Sequence, residues 1–126
     1  MAKEVIYTAQ APEPIGPYSQ AILAGNTLYV SGQIALDSTT GKMITGDISL
    51  ETEQVMKNLQ AILEKADMDF SQVVKCTIFL KNMGDFPKVN EAYGKYFAAH
   101  PPARETVEVS RLPKDVHVEV SCIAVR

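Results

Sequence analysis

The chain has 126 residues, of which 46% are hydrophobic and 21% are charged. This length and composition predict one soluble globular domain over residues 1–126. The net charge of −3, without a cluster of lysines and arginines, argues against a nucleic-acid surface. No apolar run approaches the ~20 residues of a membrane span, and the first ten residues lack the apolar core of a signal peptide.

The first third of the chain predicts three strands. Residues 3–8 form a short strand, and residues 9–17 form a loop rich in proline and glycine. Residues 18–24 and 27–35 form the second and third strands, and Gly25-Asn26 between them is a tight hairpin signal.

The third strand is interrupted by Ser31 and Gly32. A glycine inside a strand pattern marks a bulge or a place where the backbone approaches another group closely. We therefore expect one of these two features at Gly32. Residues 37–46 then form a polar turn region.

Two amphipathic helices follow, with a strand between them. Residues 49–66 form the first helix, with Ser49 as the N-cap and with Glu51 and Glu53 near the positive end of the helix dipole. Residues 73–81 are rich in β-branched and aromatic residues and predict a buried central strand. The apolar stripe of the first helix consists of Val55, Leu59, Ile62, Leu63 and Ala66.

The second helix begins after Gly84, with Asp85 as the cap and Pro87 in the first turn. It is expected to stop before His100 and the two prolines that follow. Its inward stripe consists of Phe86, Val89, Tyr93 and Phe97.

Residues 101–126 alternate with period 2 and predict two strands joined as a hairpin by a short turn at residues 112–115. Valines, Cys122 and Ala124 form one apolar face. The opposite face is polar and is the candidate for chemistry. It carries Arg104, Thr106 and Glu108, and then His117, Glu119 and Ser121.

The predicted order is therefore β-β-β-α-β-α-β-β. A chain of this length accommodates one mixed sheet with both helices on one face, an α+β fold. The other face of the sheet stays apolar and uncovered, which predicts self-association. The two cysteines, Cys76 and Cys122, lie in strand-like runs and are interpreted as buried hydrophobic residues in a reduced, cytoplasmic protein.

The search for catalytic motifs leaves only single residues. The sequence contains no glycine-rich phosphate loop, no metal-ligand spacing and no nucleophile elbow. The guanidinium of Arg104 can hold a carboxylate through two parallel hydrogen bonds, although it can also be a simple surface arginine. Glu119 can orient or deprotonate a water, or it can be a solvated strand residue. His100 and His117 suggest an acid–base pair, but they lie on different elements.

The distance between Arg104 and Glu119 limits what one ligand can reach. In a symmetric hairpin Arg104 lies opposite residue 123, about 13 Å from Glu119 at ~3.3 Å per residue. Either twist brings the two closer, or Arg104 of one chain acts with Glu119 of another.

The sequence resembles the Rid family, also called the YjgF or reactive intermediate deaminase family, over essentially its full length. The carboxylate-binding arginine of the RidA subfamily is present. The LPKD turn is the most specific of the matching motifs. These motifs are IGPYSQA (15–21), VSGQIA (30–35), VNEAY (89–93), PPAR (101–104), VEVSRLPKDVHVEV (107–120) and IAVR (123–126).

The resemblance implies a chorismate-mutase-like homotrimer with sites in the clefts between subunits. It implies hydrolysis of the imines of 2-aminoacrylate and 2-aminocrotonate to 2-keto acids and ammonia, without a cofactor. It assigns Arg104 to the substrate carboxylate and Glu119 to the attacking water. The remaining binding residues that it implies are Tyr18, Ser31, Gly32, Asn90 and Thr106.

Two positions depart from the family pattern. Thr106 stands where many members have a cysteine, so the resemblance implies no thiol chemistry. Ser121 replaces an acidic residue. The alternatives to an imine deaminase are a metabolite-binding or chaperone-like trimer without turnover and, least favoured by the acidic charge balance, an endoribonuclease.

Overall fold

Six strands and two helices make up the fold, which a computed structural model describes for residues 2–126. None of the helices in this described part is long and apolar enough to cross a membrane. The elements are β1 (Lys3–Ile6), β2 (Ala21–Ala24), β3 (Thr27–Gln33), α1 (Ile48–Lys65), β4 (Val73–Leu80), α2 (Phe86–Gly94), β5 (Ala103–Glu108) and β6 (Val118–Val125).

The strands form one mixed sheet in the order β1-β2-β3-β6-β4-β5. All neighbours run antiparallel except β4 and β5, which are parallel. Gly25, with a φ of +62°, makes the tight turn between β2 and β3. The predicted α+β fold with a mixed sheet and two helices is therefore confirmed.

The predicted hairpin of residues 101–126 is wrong. β5 and β6 do not pair with each other, because β4 lies between them. Residues 109–117 connect the two strands, and this connection is longer than the 2–5 residues of a typical hairpin loop. Arg104 is consequently aligned with Cys76 of β4 and not with residue 123.

The first helix begins one residue earlier than predicted. The side chain of Asp47 accepts hydrogen bonds from the backbone N–H groups of Ser49 and Leu50, at 2.9 and 3.1 Å. Asp47 is therefore the N-cap, and Ser49 lies inside the first turn. The predicted apolar stripe, from Val55 to Ala66, is buried and packs on the sheet.

The second helix is shorter than predicted and ends at Gly94. Asp85 occupies the cap position, but its side chain makes no capping hydrogen bond. Beyond Gly94 the backbone tightens into turns, with hydrogen bonds from Tyr96 N–H to Tyr93 C=O and from Phe97 N–H to Gly94 C=O. The predicted stripe is buried at Val89, Tyr93 and Phe97 and partly buried at Phe86.

The two helices cover one face of the sheet and leave the other open. Apolar side chains between 42% and 59% exposed follow the strands on or beside the open face: Val5, Tyr29, Val74 and Val107. Cys76 and Cys122 are buried free cysteines, as expected. An uncovered apolar face of this kind is typical of a surface that meets another protein chain.

Candidate active site

Gly32 marks both a bulge and a close approach. The register between β3 and β6 shifts between Val30 and Gln33, which confirms a bulge at Ser31-Gly32. A Cβ atom built on Gly32 would lie 2.4 Å from Oε2 of Glu119 and 2.7 Å from its Cδ. Because no side chain fits in that space, the Glu119 carboxylate can lie against the backbone only where residue 32 is glycine.

Glu119 lies on the open face of the sheet, in register with Phe79 of β4. Its side chain is partly buried, and this burial raises the pKa of the carboxyl group above its ordinary value. A raised pKa makes the ionised carboxylate a better acceptor for a proton from water. Glu119 therefore has the environment of a general base.

Tyr18 and Ser31 lie beside the backbone of Gly32. The Ser31 hydroxyl donates to the carbonyl of Ser19 at 2.6 Å, and the Tyr18 hydroxyl accepts from the N–H of Ile15 at 3.3 Å. Tyr18 and Gly32 share a cleft of about 30 Å³. We name Tyr18, Ser31, Gly32 and Glu119 the Glu119 half-site.

The second group of predicted residues surrounds Arg104. Nη1 of Arg104 donates to Oδ1 of Asn90 at 2.6 Å. The guanidinium carbon lies 5.5 Å from the ring centre of Phe86 and 5.0 Å from that of Tyr93, so two aromatic faces on α2 support the cation. Within residues 2–126 Arg104 pairs with no carboxylate.

A cavity of about 400 Å³ opens beside Arg104 and is walled by Asn90, Tyr93, Phe97 and Pro102. Thr106 lies two residues further along β5, and its hydroxyl is buried without a hydrogen-bond partner. Buried hydroxyls are normally paired, so the unpaired hydroxyl of Thr106 is a candidate for a contact that this chain alone does not supply, although Thr106 does not line the cavity itself. We name Asn90, Arg104 and Thr106, with the two rings, the Arg104 half-site.

The two half-sites lie on opposite faces of the sheet. Arg104 is aligned with Cys76, which faces the helices, whereas Glu119 is aligned with Phe79, three residues along β4. An odd number of residues reverses the face of a strand. The prediction that Arg104 and Glu119 share one polar face is therefore wrong. Two strand spacings of ~4.8 Å and three residues of ~3.3 Å separate their Cα atoms by about 14 Å.

The structure does not bring the two histidines together. His100 is exposed and has a φ of +50°. Nδ1 of His117 lies 3.0 Å from Oε1 of Glu51 on α1. An acid–base pair of histidines is thus not formed within the described chain.

Two buried polar residues of α1 were missed as functional candidates. Glu51 and Asn58 are each only 1% exposed, and each hydrogen-bonds to backbone next to the Glu119 half-site. The signal was present, because Glu51 lies four residues before Val55 and therefore on the buried stripe. The sequence analysis explained Glu51 only by its position near the positive end of the helix dipole, and an exposed glutamate satisfies that explanation equally well.

Comparison with known proteins gives a full-length match. The sequence model of a family described as Endoribonuclease L-PSP matches residues 8–126. A RutC family protein of Pyrococcus horikoshii is 56% identical over 122 residues, 97% of each chain. A human protein named 2-iminobutanoate/2-iminopropanoate deaminase is 43% identical over 126 residues, 100% of this chain and 92% of its own. The structure of YyfA from Yersinia pestis, described as a Rid family protein, has a TM-score of 0.96 and 47% identity, covering 99% and 100% of the chains.

Proposed function

The chain belongs to the YjgF/Rid family, and on that premise we propose that it hydrolyses small 2-imino acids to 2-keto acids and ammonia. The substrates are the imine tautomers of 2-aminoacrylate and 2-aminocrotonate. The human and mite relatives that carry the name 2-iminobutanoate/2-iminopropanoate deaminase, at 43% and 46% identity, support this choice.

The Arg104 half-site binds the substrate carboxylate. Asn90 engages one nitrogen of the guanidinium, and the remaining N–H groups can form two parallel bonds to a carboxylate. The unpaired hydroxyl of Thr106 supplies a further donor or acceptor. The rings of Phe86 and Tyr93 fix the plane of the guanidinium, so binding also orients the imine carbon.

The Glu119 half-site supplies the water. The Glu119 carboxylate accepts a proton while the water oxygen bonds to the imine carbon, and the C=N double bond becomes a single bond. Glu119 passes this proton to the nitrogen, which gives a carbinolamine with one OH and one NH2 group on the same carbon. The carboxylate then takes the hydroxyl proton and delivers it to the NH2 group, and the C–N bond breaks as the C=O bond forms, so ammonia leaves and Glu119 is again ionised. The reaction consumes one water and transfers no electrons to or from the substrate carbon skeleton overall, so it needs no redox cofactor.

We infer how this site is assembled from one observation, which is that the two half-sites lie on opposite faces of one sheet. A small imino acid cannot contact both within one chain at about 14 Å. β5 is an edge strand, so Arg104 lies where a second chain can approach. We infer a homotrimer in which the open apolar faces are buried, and in which Arg104 of one chain and Glu119 of its neighbour form each site.

A coupled assay tests the activity. A threonine dehydratase generates 2-aminocrotonate, and the release of the keto acid is followed with and without the protein. Arg104→Ala should reduce kcat/KM by about 100-fold, mainly through KM, because charged hydrogen bonds to the carboxylate are lost. Glu119→Gln should reduce kcat by about 10²–10⁴-fold, the usual contribution of a general base.

Arg111→Ala is the matched control. Arg111 is an exposed arginine whose Nε lies 2.7 Å from Asp115 and which touches neither half-site. Its replacement should leave both constants unchanged. Full activity of Arg104→Ala would rule out the carboxylate-binding role.

The family description gives one reason to test a second activity. The matching family is described as an endoribonuclease, whereas the net charge of −3 does not favour RNA binding. RNA cleavage by the purified protein that survives Arg104→Ala would place a nuclease site elsewhere on the chain. We expect no cleavage.

A further inference from the structure

The N-terminal end of β6 lacks a strand partner on one side. The ladder between β3 and β6 ends at the pair Gln33–Val120, so β3 offers no carbonyl to the residues before Glu119. Their N–H groups point instead to Glu51 of α1. Oε2 of Glu51 accepts from the backbone N–H of His117 at 2.8 Å and from that of Val118 at 3.2 Å.

Glu51 is an unusual residue for its position. Its side chain is 1% exposed, and within residues 2–126 no lysine or arginine pairs with it. Burial of an unpaired carboxylate is costly unless hydrogen bonds replace the lost water. The only partners of this carboxylate in the described chain are the two N–H groups and the ring of His117, at 3.0 Å. An apolar side chain would pack on the same stripe, so packing does not explain Glu51.

A second residue of α1 hydrogen-bonds to the chain that leaves β3, on the other side of the point where the β3–β6 ladder ends. Asn58, two turns further along the helix, donates from Nδ2 to the carbonyls of Ile34 and Leu36 at 2.9 and 3.0 Å. These carbonyls belong to the chain that leaves β3. Helix α1 therefore holds both the end of β3 and the start of β6, and the contact between Gly32 and Glu119 lies between them.

We propose that Glu51 is a positioning residue for Glu119. It fixes the backbone of His117 and Val118, the two residues that precede Glu119, and so holds the Glu119 carboxylate against Gly32. The Glu119 carboxylate has little room to move toward residue 32, because its Oε2 already occupies the space that any Cβ at that residue would need. This inference rests on the proposed role of Glu119 as the base.

The test compares two variants of one residue. Glu51→Met keeps the length and the packing but accepts no hydrogen bond, so kcat should fall by about 100-fold, the effect of a ~1 Å misplacement of a catalytic group. KM should change by less than about threefold, since Arg104 still binds the carboxylate. Glu51→Gln presents its amide oxygen to the two N–H groups and its NH₂ to His117, and should retain kcat within about threefold of the original chain.

Two control variants separate positioning from stability. Met56→Ala, at a fully buried apolar position of the same helix, should lower the Tm by creating a cavity while kcat at temperatures below unfolding is retained. His117→Ala removes the imidazole and keeps both backbone N–H groups, so it should also retain kcat. The proposal is overturned if Glu51→Gln loses as much activity as Glu51→Met, or if Glu51→Met is as active as Met56→Ala.

Amide hydrogen exchange gives a readout that does not depend on turnover. In the unmodified chain the amides of His117 and Val118 should exchange as slowly as those of the β6 ladder. In Glu51→Met they should exchange at least about tenfold faster, and in Glu51→Gln they should not. Fast exchange of these two amides in the unmodified chain would overturn the proposal even if Glu51→Met failed to fold. An unmodified chain that does not accelerate imine hydrolysis would instead refute the proposed function, and the exchange experiment would still decide whether Glu51 holds the start of β6.

Discussion

The two half-sites hold their key residues in opposite ways. Arg104 is fixed by side chains, namely Asn90 and the two aromatic rings, and it borders an open cavity of about 400 Å³. Glu119 packs against backbone, because the bulge at Gly32 leaves room for the carboxylate and no room for a Cβ atom. The first arrangement suits recognition of a charged group, and the second suits exact placement of a reactive one. Changes at the Arg104 half-site should therefore alter binding, and changes at the Glu119 half-site should alter turnover.

The largest expected effect in this comparison comes from one methyl group at Gly32. Gly32→Ala places a Cβ only 2.4 Å from Oε2 of Glu119. This distance is too short for a contact, so the carboxylate must move. We expect kcat to fall by about 100-fold with a smaller change in KM. Steady-state kinetics in the dehydratase-coupled assay measures both constants.

Gly94→Ala is the control for the added methyl group. Gly94 lies at the end of α2 on the wall of the Arg104 cavity, and nothing lies within 4 Å of a Cβ built there. Its kcat should stay within about twofold of the original value, and any change should fall on KM, since the methyl group borders the cavity beside Arg104 and lies away from Glu119. Equal losses of kcat in the two variants would show that the Gly32 contact has no special role.

A smaller effect is expected at Thr106. Thr106→Val removes a buried hydroxyl that has no partner, so the Tm should not fall. If the hydroxyl binds substrate, KM should rise about fivefold, the value of one neutral hydrogen bond of ~1 kcal/mol. Thr52→Val, which loses a hydroxyl bonded within α1 at 2.8 Å, should show the reverse pattern of lower Tm and unchanged KM. An unchanged KM in Thr106→Val would remove Thr106 from the site.

The smallest expected effect is a pH-dependent difference in thermal stability between Glu119→Gln and the original chain. Burial raises the pKa of this carboxyl group in the folded chain, so the folded state binds its proton more tightly than the unfolded state. The contribution of Glu119 to stability is therefore fully present below the ordinary glutamate pKa and is lost as the pH rises through the raised pKa. Glu119→Gln cannot ionise, so its Tm should exceed that of the original chain at neutral pH, and the difference should shrink in acid. Thermal unfolding at both pH values measures this, and a pH-independent difference would contradict it.

The local elements of the fold could be predicted from the sequence, but their pairing could not. Alternation with period 2 identified β5 and β6 correctly as strands. It did not reveal that β4 lies between them, because the pattern of one strand contains no information about its neighbours. Both strands are shorter than the alternation indicates, so residues 109–117 separate them where the sequence predicted a turn at residues 112–115.

The candidate site could be predicted in its residues and not in its geometry. On an edge strand with polar residues at most positions, alternation did not decide which side chains face the helices. In the structure the Thr106 hydroxyl is buried and Val107 is 42% exposed, the reverse of the expected faces. Gly32 was identified correctly as a close approach, because glycine weakens a strand and is favoured there mainly where a side chain would not fit. Its partner, Glu119, became apparent only from the fold.

The most direct test of a site shared between chains is complementation of two inactive variants. Arg104→Ala and Glu119→Gln each lack one half of every site. Unfolding and refolding them together in equal amounts should produce mixed trimers, in which about a quarter of the sites combine an intact Arg104 with an intact Glu119 of a neighbour. At substrate concentrations well below KM, where both variants are nearly inactive, we therefore predict recovery of about a quarter of the original activity. Activity no greater than the sum of the separately refolded variants would contradict a site built between chains.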